Sequence, residues 1–150
     1  MSTVLFACVH NAGRSQMAAA FFNALADPQR ATAGSAGTAP AAQVHPAVVE
    51  VMREAGIDLS QVRPTRLTDA LAREAELLVT MGCGESCPVV PGRERADWDL
   101  ADPKGQPLAR VRSTMDLAAN RGPVRAQWWR PAKRGRDPAT RSRCRVFVIG

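Results

Sequence analysis

Short apolar runs alternate with amphipathic stretches over the first hundred residues of this chain. Residues 4–9 are apolar without a break, which predicts a strand buried on both faces. A loop follows, and Ser15 opens a predicted helix. Met17, Ala20, Phe21, Ala24 and Leu25 recur at helical spacing and give it one apolar face, and Asp27-Pro28 ends it. Residues 31–36 read as a second strand, with Ser35-Ala36-Gly37 as a turn. Pro46 suits a first helical position. Val48, Val51, Met52 and Ala55 form the next apolar stripe, and Gly56 suits its C-terminal stop. Thr68 can cap a short helix over 69–75. Residues 77–81 read as another buried strand, and 96–100 as a weaker one leading into Asp102-Pro103.

This alternation predicts a single α/β domain with a parallel sheet. Ligands in such sheets bind outside the carboxyl ends of the strands. Cys8, Cys83 and Asp102 all fall at or just after predicted strand ends, so the pattern gathers them on one edge.

Composition narrows the classes. The chain has 150 residues, 45% of them hydrophobic, enough for one packed core. No run of about 18 apolar residues occurs, so no membrane span is expected. The opening stretch lacks the basic region of a signal peptide, which points to the cytoplasm. Cytosolic thiols stay reduced, so the four cysteines point to catalysis or metal more than to structural bridges. The net charge of +6 is uneven: residues 1–108 carry 9 basic and 12 acidic side chains, and residues 109–150 carry 11 and 2. Basicity belongs to the tail, so a nucleic-acid partner for the domain is not expected.

The first candidate site is Cys8-Val9-His10-Asn11-Ala12-Gly13-Arg14-Ser15, a C-x5-R-S segment between a strand and a helix. Five residues can curl so that their N–H groups face one centre and form an anion nest. The helix beginning near Ser15 adds its positive end. Arg14 offers a planar fork for two oxygens of a tetrahedral oxyanion. The same field favours a thiolate at Cys8. Ser15 can hydrogen-bond that thiolate, and Gly13 is expected to take a backbone angle that other residues resist. His10 has no second ligand nearby and reads as a loop residue. The competing reading is a buried cysteine beside an ordinary surface arginine.

Cys83 and Cys87 flank Gly84-Glu85-Ser86. If that stretch is helical, the two thiols lie about one turn apart, within disulfide reach. The alternatives are two buried small residues or half of a zinc site. Zinc usually takes four ligands, and no further Cys/His pair stands at suitable spacing. Asp102 precedes Pro103, which restricts the backbone before it and can aim the carboxylate. Asp102 is the candidate general acid. Its alternative is a turn aspartate, and Asp99, its nearest rival, is expected to face solvent.

These motifs carry a family resemblance. The stretch from Cys8 to Met17, the Ser35-Ala36-Gly37-Thr38 turn, Val79-Thr80-Met81-Gly82-Cys83-Gly84-Glu85-Ser86-Cys87-Pro88 and Trp98-Asp99-Leu100-Ala101-Asp102-Pro103 resemble the arsenate reductases of the low-molecular-weight tyrosine phosphatase superfamily. The resemblance runs from about residue 3 to about residue 112. It implies a four-stranded parallel sheet flanked by helices. It implies Cys8 as nucleophile, Cys83 and Cys87 as a redox relay and Asp102 as the acid. It further implies no bound cofactor, with thioredoxin as the external reductant. A phosphatase of this family needs only the first cysteine, whereas a reductase must supply two electrons. Eukaryotic phosphatases of the family also carry tyrosines after Asp-Pro; here Lys104-Gly105 follows, and the chain has no tyrosine. A phosphatase and a non-catalytic oxyanion-binding protein remain the alternatives.

Two departures stand out. Asn11 and Ser35 match positions that hold an alkali cation in some family members. The expected carboxylates are replaced by Ala19 and Arg66, so no metal is expected. The family's long C-terminal helix could begin over 107–120, but Gly122-Pro123 breaks it. Residues 1–121 are read as the domain and 122–150 as an atypical basic tail, in which Cys144 has no evident partner.

Overall fold

The computed structural model describes residues 2–82, 92, 94–100, 107, 109–111 and 113. In chain order the elements are β1 (Ser2–Cys8), α1 (Arg14–Leu25), β2 (Ala31–Gly37), α2 (Pro46–Glu54), α3 (Asp69–Glu74), β3 (Leu77–Thr80) and β4 (Glu94–Asp97). The strands form one four-stranded sheet in the order β2-β1-β3-β4, and every pairing is parallel. The α/β fold read from the sequence therefore stands.

The unbroken apolar run of β1 has its cause in burial on both sides. Val4, Phe6 and Cys8 pack on one face with Met17, Phe21 and Phe22 of α1 and Val48, Val51 and Met52 of α2. Leu5 and Ala7 point the other way, against Ala36, Ala75 and Leu78, with Leu67 and Leu71 alongside. Successive strand side chains alternate between faces, so a central strand covered twice has no polar side. Phe6 anchors an aromatic group. Its ring centroid lies 6.0 Å from that of Phe22 and 5.3 Å from that of Trp98. Each such pair contributes roughly 0.5–1.5 kcal/mol beyond area burial. Cys8 lies two residues beyond Phe6 on the same face, so the packing that seats the ring also fixes the thiol.

Several expectations need correction. Helix α1 begins at Arg14, with Gly13 at its N-cap and no side chain capping it. Its buried apolar residues are Met17, Ala18, Ala19, Phe21 and Phe22, whereas Ala24 is exposed and Ala20 and Leu25 are only partly covered. Residues 17–22 are all apolar, so the pattern lacks the polar contrast that would fix a face. Gly37 ends β2 in register with Cys8, so residues 35–37 are strand and not turn. Strand β4 spans Glu94–Asp97, earlier than residues 96–100. Trp98 and Leu100 suggested a strand because they are buried; they are anchors just beyond it. The charged residues of β4 suit a sheet edge.

Helix α2 starts at Pro46 and buries Val48, Val51 and Met52 as expected; Gly56 follows with φ of 84°. Thr68 caps α3 by accepting from the Leu71 N–H at 3.2 Å, and the helix ends at Glu74. Residues 109–111 are helical, and Val111 is buried in the α1–α2 core. No helix among the described residues is long and apolar enough to cross a membrane.

Candidate functional site

The carboxyl end of β1 opens into the loop 9–13 before α1 begins. Every carbonyl from Cys8 to Gly13 is claimed from outside the loop. The Cys8 carbonyl accepts from Thr38 N–H at 3.1 Å, Val9 from Ala39 at 2.8 Å, His10 from Ala41 at 2.9 Å, Ala12 from His45 at 2.9 Å and Gly13 from Met17 at 3.0 Å. The Asn11 carbonyl accepts from Gln16 Nε2 at 3.1 Å. Meanwhile no N–H from His10 to Gly13 donates to an acceptor among the described residues. Carbonyls turned outward and donors left over are what an anion nest requires. Arg14 starts the helix there, adding the positive end of α1.

Cys8 is buried at 2% exposure, and Arg14 is 8% exposed. Cys8 Sγ lies 2.9 Å from Ser15 Oγ. Asn11 Nδ2 donates to the same Ser15 oxygen at 2.7 Å. With that oxygen already accepting, the Ser15 hydroxyl proton is available to the sulfur. Asn11 has a left-handed backbone, with φ of 48°. Asparagine is enriched in that region among non-glycine residues. Asn11 Oδ1 accepts from Thr65 N–H at 2.8 Å and Gln16 Nε2 at 3.0 Å. Both ends of this amide are thus committed to holding the loop. Among the described residues no group of three potential metal ligands occurs. His10 Nδ1 donates to the Ala39 carbonyl at 3.3 Å, tying the ring to the same flanking segment. Asp99 is exposed, as expected.

Arg14 Nη1 donates to the Leu100 carbonyl at 3.2 Å. The Cys8 loop is therefore tied to the chain just past β4. Leu100 lies two positions before Asp102, and Gly82, one position before Cys83, touches Arg14. Cys83, Cys87, Asp102 and Cys144 lie outside the described residues, as do positions 114–150.

Sequence reading missed Gln16, Thr65, Gly37 and the Leu100 carbonyl. In the sequence Gly37 reads as a turn signal. Its use is close approach: a Cβ there would stand 2.6 Å from the Val9 carbonyl oxygen and 2.8 Å from Asn11 N. Both are backbone atoms of the loop 9–13 and cannot swing aside. Overpacking of this kind costs about 1–3 kcal/mol. Gly37→Ala is expected to lower the melting temperature and to weaken phosphate binding by roughly tenfold, which is about 1.4 kcal/mol. Calorimetric titration checks this; unchanged affinity would mean that the loop tolerates the shift.

The sequence profile of the low molecular weight phosphotyrosine protein phosphatase family matches residues 3–121. The chain belongs to this family. Within it, the similar proteins include arsenate reductases. The glutaredoxin arsenate reductase of Synechocystis sp. is 34% identical over 111 residues, covering 72% of this chain and 83% of that protein. A thioredoxin-dependent arsenate reductase of Corynebacterium glutamicum matches in structure with a TM-score of 0.70 and 38% identity. That alignment covers 81% of this chain, which spans 58% of the Corynebacterium chain. An arsenate reductase in its phosphate-binding state matches with a TM-score of 0.69 and 30% identity, covering 81% of this chain and 93% of that one. The loop 8–15 described above lies within the matched residues, at the carboxyl edge of the four-stranded parallel sheet.

Proposed function

We propose that this protein reduces arsenate to arsenite in the cytoplasm, with Cys8 as nucleophile. The observation that carries the reading is the Cys8 sulfur seated at a nest whose six carbonyls are all tied outward. Similarity to arsenate reductases supports the choice of substrate.

The Cys8 thiolate attacks arsenic while the loop N–H groups and Arg14 hold the oxygens. One As–O bond breaks, and Asp102 protonates the departing hydroxide, which leaves as water. The Cys83 thiolate then attacks Cys8 Sγ. The S–As bond breaks with its electron pair going to arsenic, so As(V) becomes As(III) and arsenite departs. The two electrons come from the two thiolates, which become a Cys8–Cys83 disulfide. Cys87 next attacks Cys83 and frees Cys8. The Cys83–Cys87 disulfide is reduced by an external dithiol, for which thioredoxin is proposed. The thioredoxin dependence of the Corynebacterium enzyme supports that choice, and the glutaredoxin name of the Synechocystis enzyme marks the rival reductant. No resident cofactor takes part. Residues 1–121 suffice for every step, and 122–150 form an accessory tail.

Phosphate is expected to compete with arsenate. Both are tetrahedral oxyanions, and backbone N–H groups do not distinguish the central atom. Selection for arsenate then resides in the redox step. Added phosphate should raise the apparent KM for arsenate without lowering the maximal rate. A rate indifferent to phosphate would remove the loop 8–15 from the site. The family also supplies a second reading, a phosphatase. Turnover of an aryl phosphate without reductant, at a rate exceeding arsenate reduction, would favour it.

A further inference from the structure

We propose that Gly82 is a positioning residue for Arg14, setting where the guanidinium stands beside the anion loop. The inference rests on the reading of Arg14 as an oxyanion-holding group. Gly82 lies just past β3, after Met81, whose N–H donates to the Ala7 carbonyl at 2.8 Å and so fixes the chain next to Cys8. Its φ is 74°. A Cβ at this position would stand 2.6 Å from Arg14 Nη1, 3.6 Å from Cζ and 3.8 Å from Nη2. The bare backbone is thus the surface against which the guanidinium rests. From another direction the Leu100 carbonyl accepts from the same Nη1 at 3.2 Å. Leu100 is itself buried beside Trp98 and the aromatic group. The chain just past β3 and the chain just past β4 therefore locate one nitrogen between them.

The consequence of adding a side chain follows from which atom it would meet. At Gly37 the obstructed atoms are backbone. At Gly82 the obstructed atom is the far end of a flexible side chain. Moving the guanidinium makes room for the Cβ, so oxyanion geometry suffers, while φ of 74° adds a separate backbone strain for most side chains. A misplacement on the order of 1 Å can cost up to about 100-fold in rate.

The test uses Gly82→Ala and Gly82→Asn, each with Arg14 retained and with Arg14→Lys. Inorganic phosphate affinity is measured by calorimetry, and folding by thermal melting. With Arg14 present, both substitutions should weaken phosphate by at least about fivefold. With Arg14→Lys, which lacks the fork, they should weaken it by less than about twofold, a non-additivity expected of groups in contact. Asparagine tolerates a left-handed φ, so equal loss with Asn and Ala assigns the effect to the Cβ and not to the backbone angle. Equal losses in both backgrounds, no loss, recovery with Asn, or failure of the variants to fold would each overturn the proposal. If Arg14→Lys alone leaves phosphate affinity unchanged, the oxyanion role of Arg14 fails, and this inference falls with it. If Arg14→Lys weakens binding and Gly82→Ala does not, only the positioning role is lost.

Discussion

Replacing Cys8 by serine is expected to abolish arsenite formation while leaving the protein folded. Cys8 ends β1 within the main core and is nearly isosteric with serine. Its side-chain polar contact among the described residues, to Ser15 Oγ, is a bond that a hydroxyl can also make. Folding therefore has little reason to change, and the melting temperature should stay within a few degrees, the size of about 1 kcal/mol for a domain of this length. The chemistry has every reason to fail. A serine hydroxyl is too weakly acidic to ionise in place of the thiol, and no base adjoins it among the described residues. The nest itself remains, so phosphate should still bind. Retained phosphate binding with lost turnover would separate the nucleophile from the anion cradle. Arsenite formation at the normal rate by this variant would remove Cys8 from the mechanism.

The second large effect concerns the two later cysteines. Cys83→Ser and Cys87→Ser are each expected to end multiple turnover, but at different stages. Without Cys83 the adduct on Cys8 has no thiolate to break its S–As bond, so no arsenite should leave. Without Cys87 the first exchange can still occur. One arsenite per protein molecule should then appear, with a Cys8–Cys83 disulfide left behind. Exchange proceeds through thiolate attack on one sulfur at a time, so the two arrest points are chemically distinct. Mass mapping after alkylation distinguishes them. Identical products from both variants would sink the ordered relay.

Much of this architecture was legible in the sequence because its signals are local. The short apolar run of β1 reads as a strand covered twice. Pro46, Gly56 and Thr68 mark helix ends through their own backbone and side-chain chemistry. The strand–loop–helix setting of the C-x5-R-S segment was legible too, and so was the contact of Ser15 with Cys8. What was not legible depends on distant partners. Nothing near Gly37 in the sequence announces that the Val9 carbonyl lies against it. Gln16 and Thr65 hold Asn11 across 5 and 54 positions, so the reason for the left-handed Asn11 is tertiary. Trp98 and Leu100 read as strand in the sequence because burial by a sheet and burial beyond its edge leave the same apolar trace. Residues 17–22 of α1 lack polar contrast, so the composition could not tell which side would face the sheet.

The central claim is tested most directly by arsenate-dependent NADPH oxidation in the presence of thioredoxin and thioredoxin reductase. The account predicts steady oxidation of one NADPH per arsenite formed, with none when arsenate is omitted or phosphate is supplied in its place. Absence of arsenate-dependent oxidation under these conditions, and with glutaredoxin and glutathione in place of thioredoxin, would contradict it.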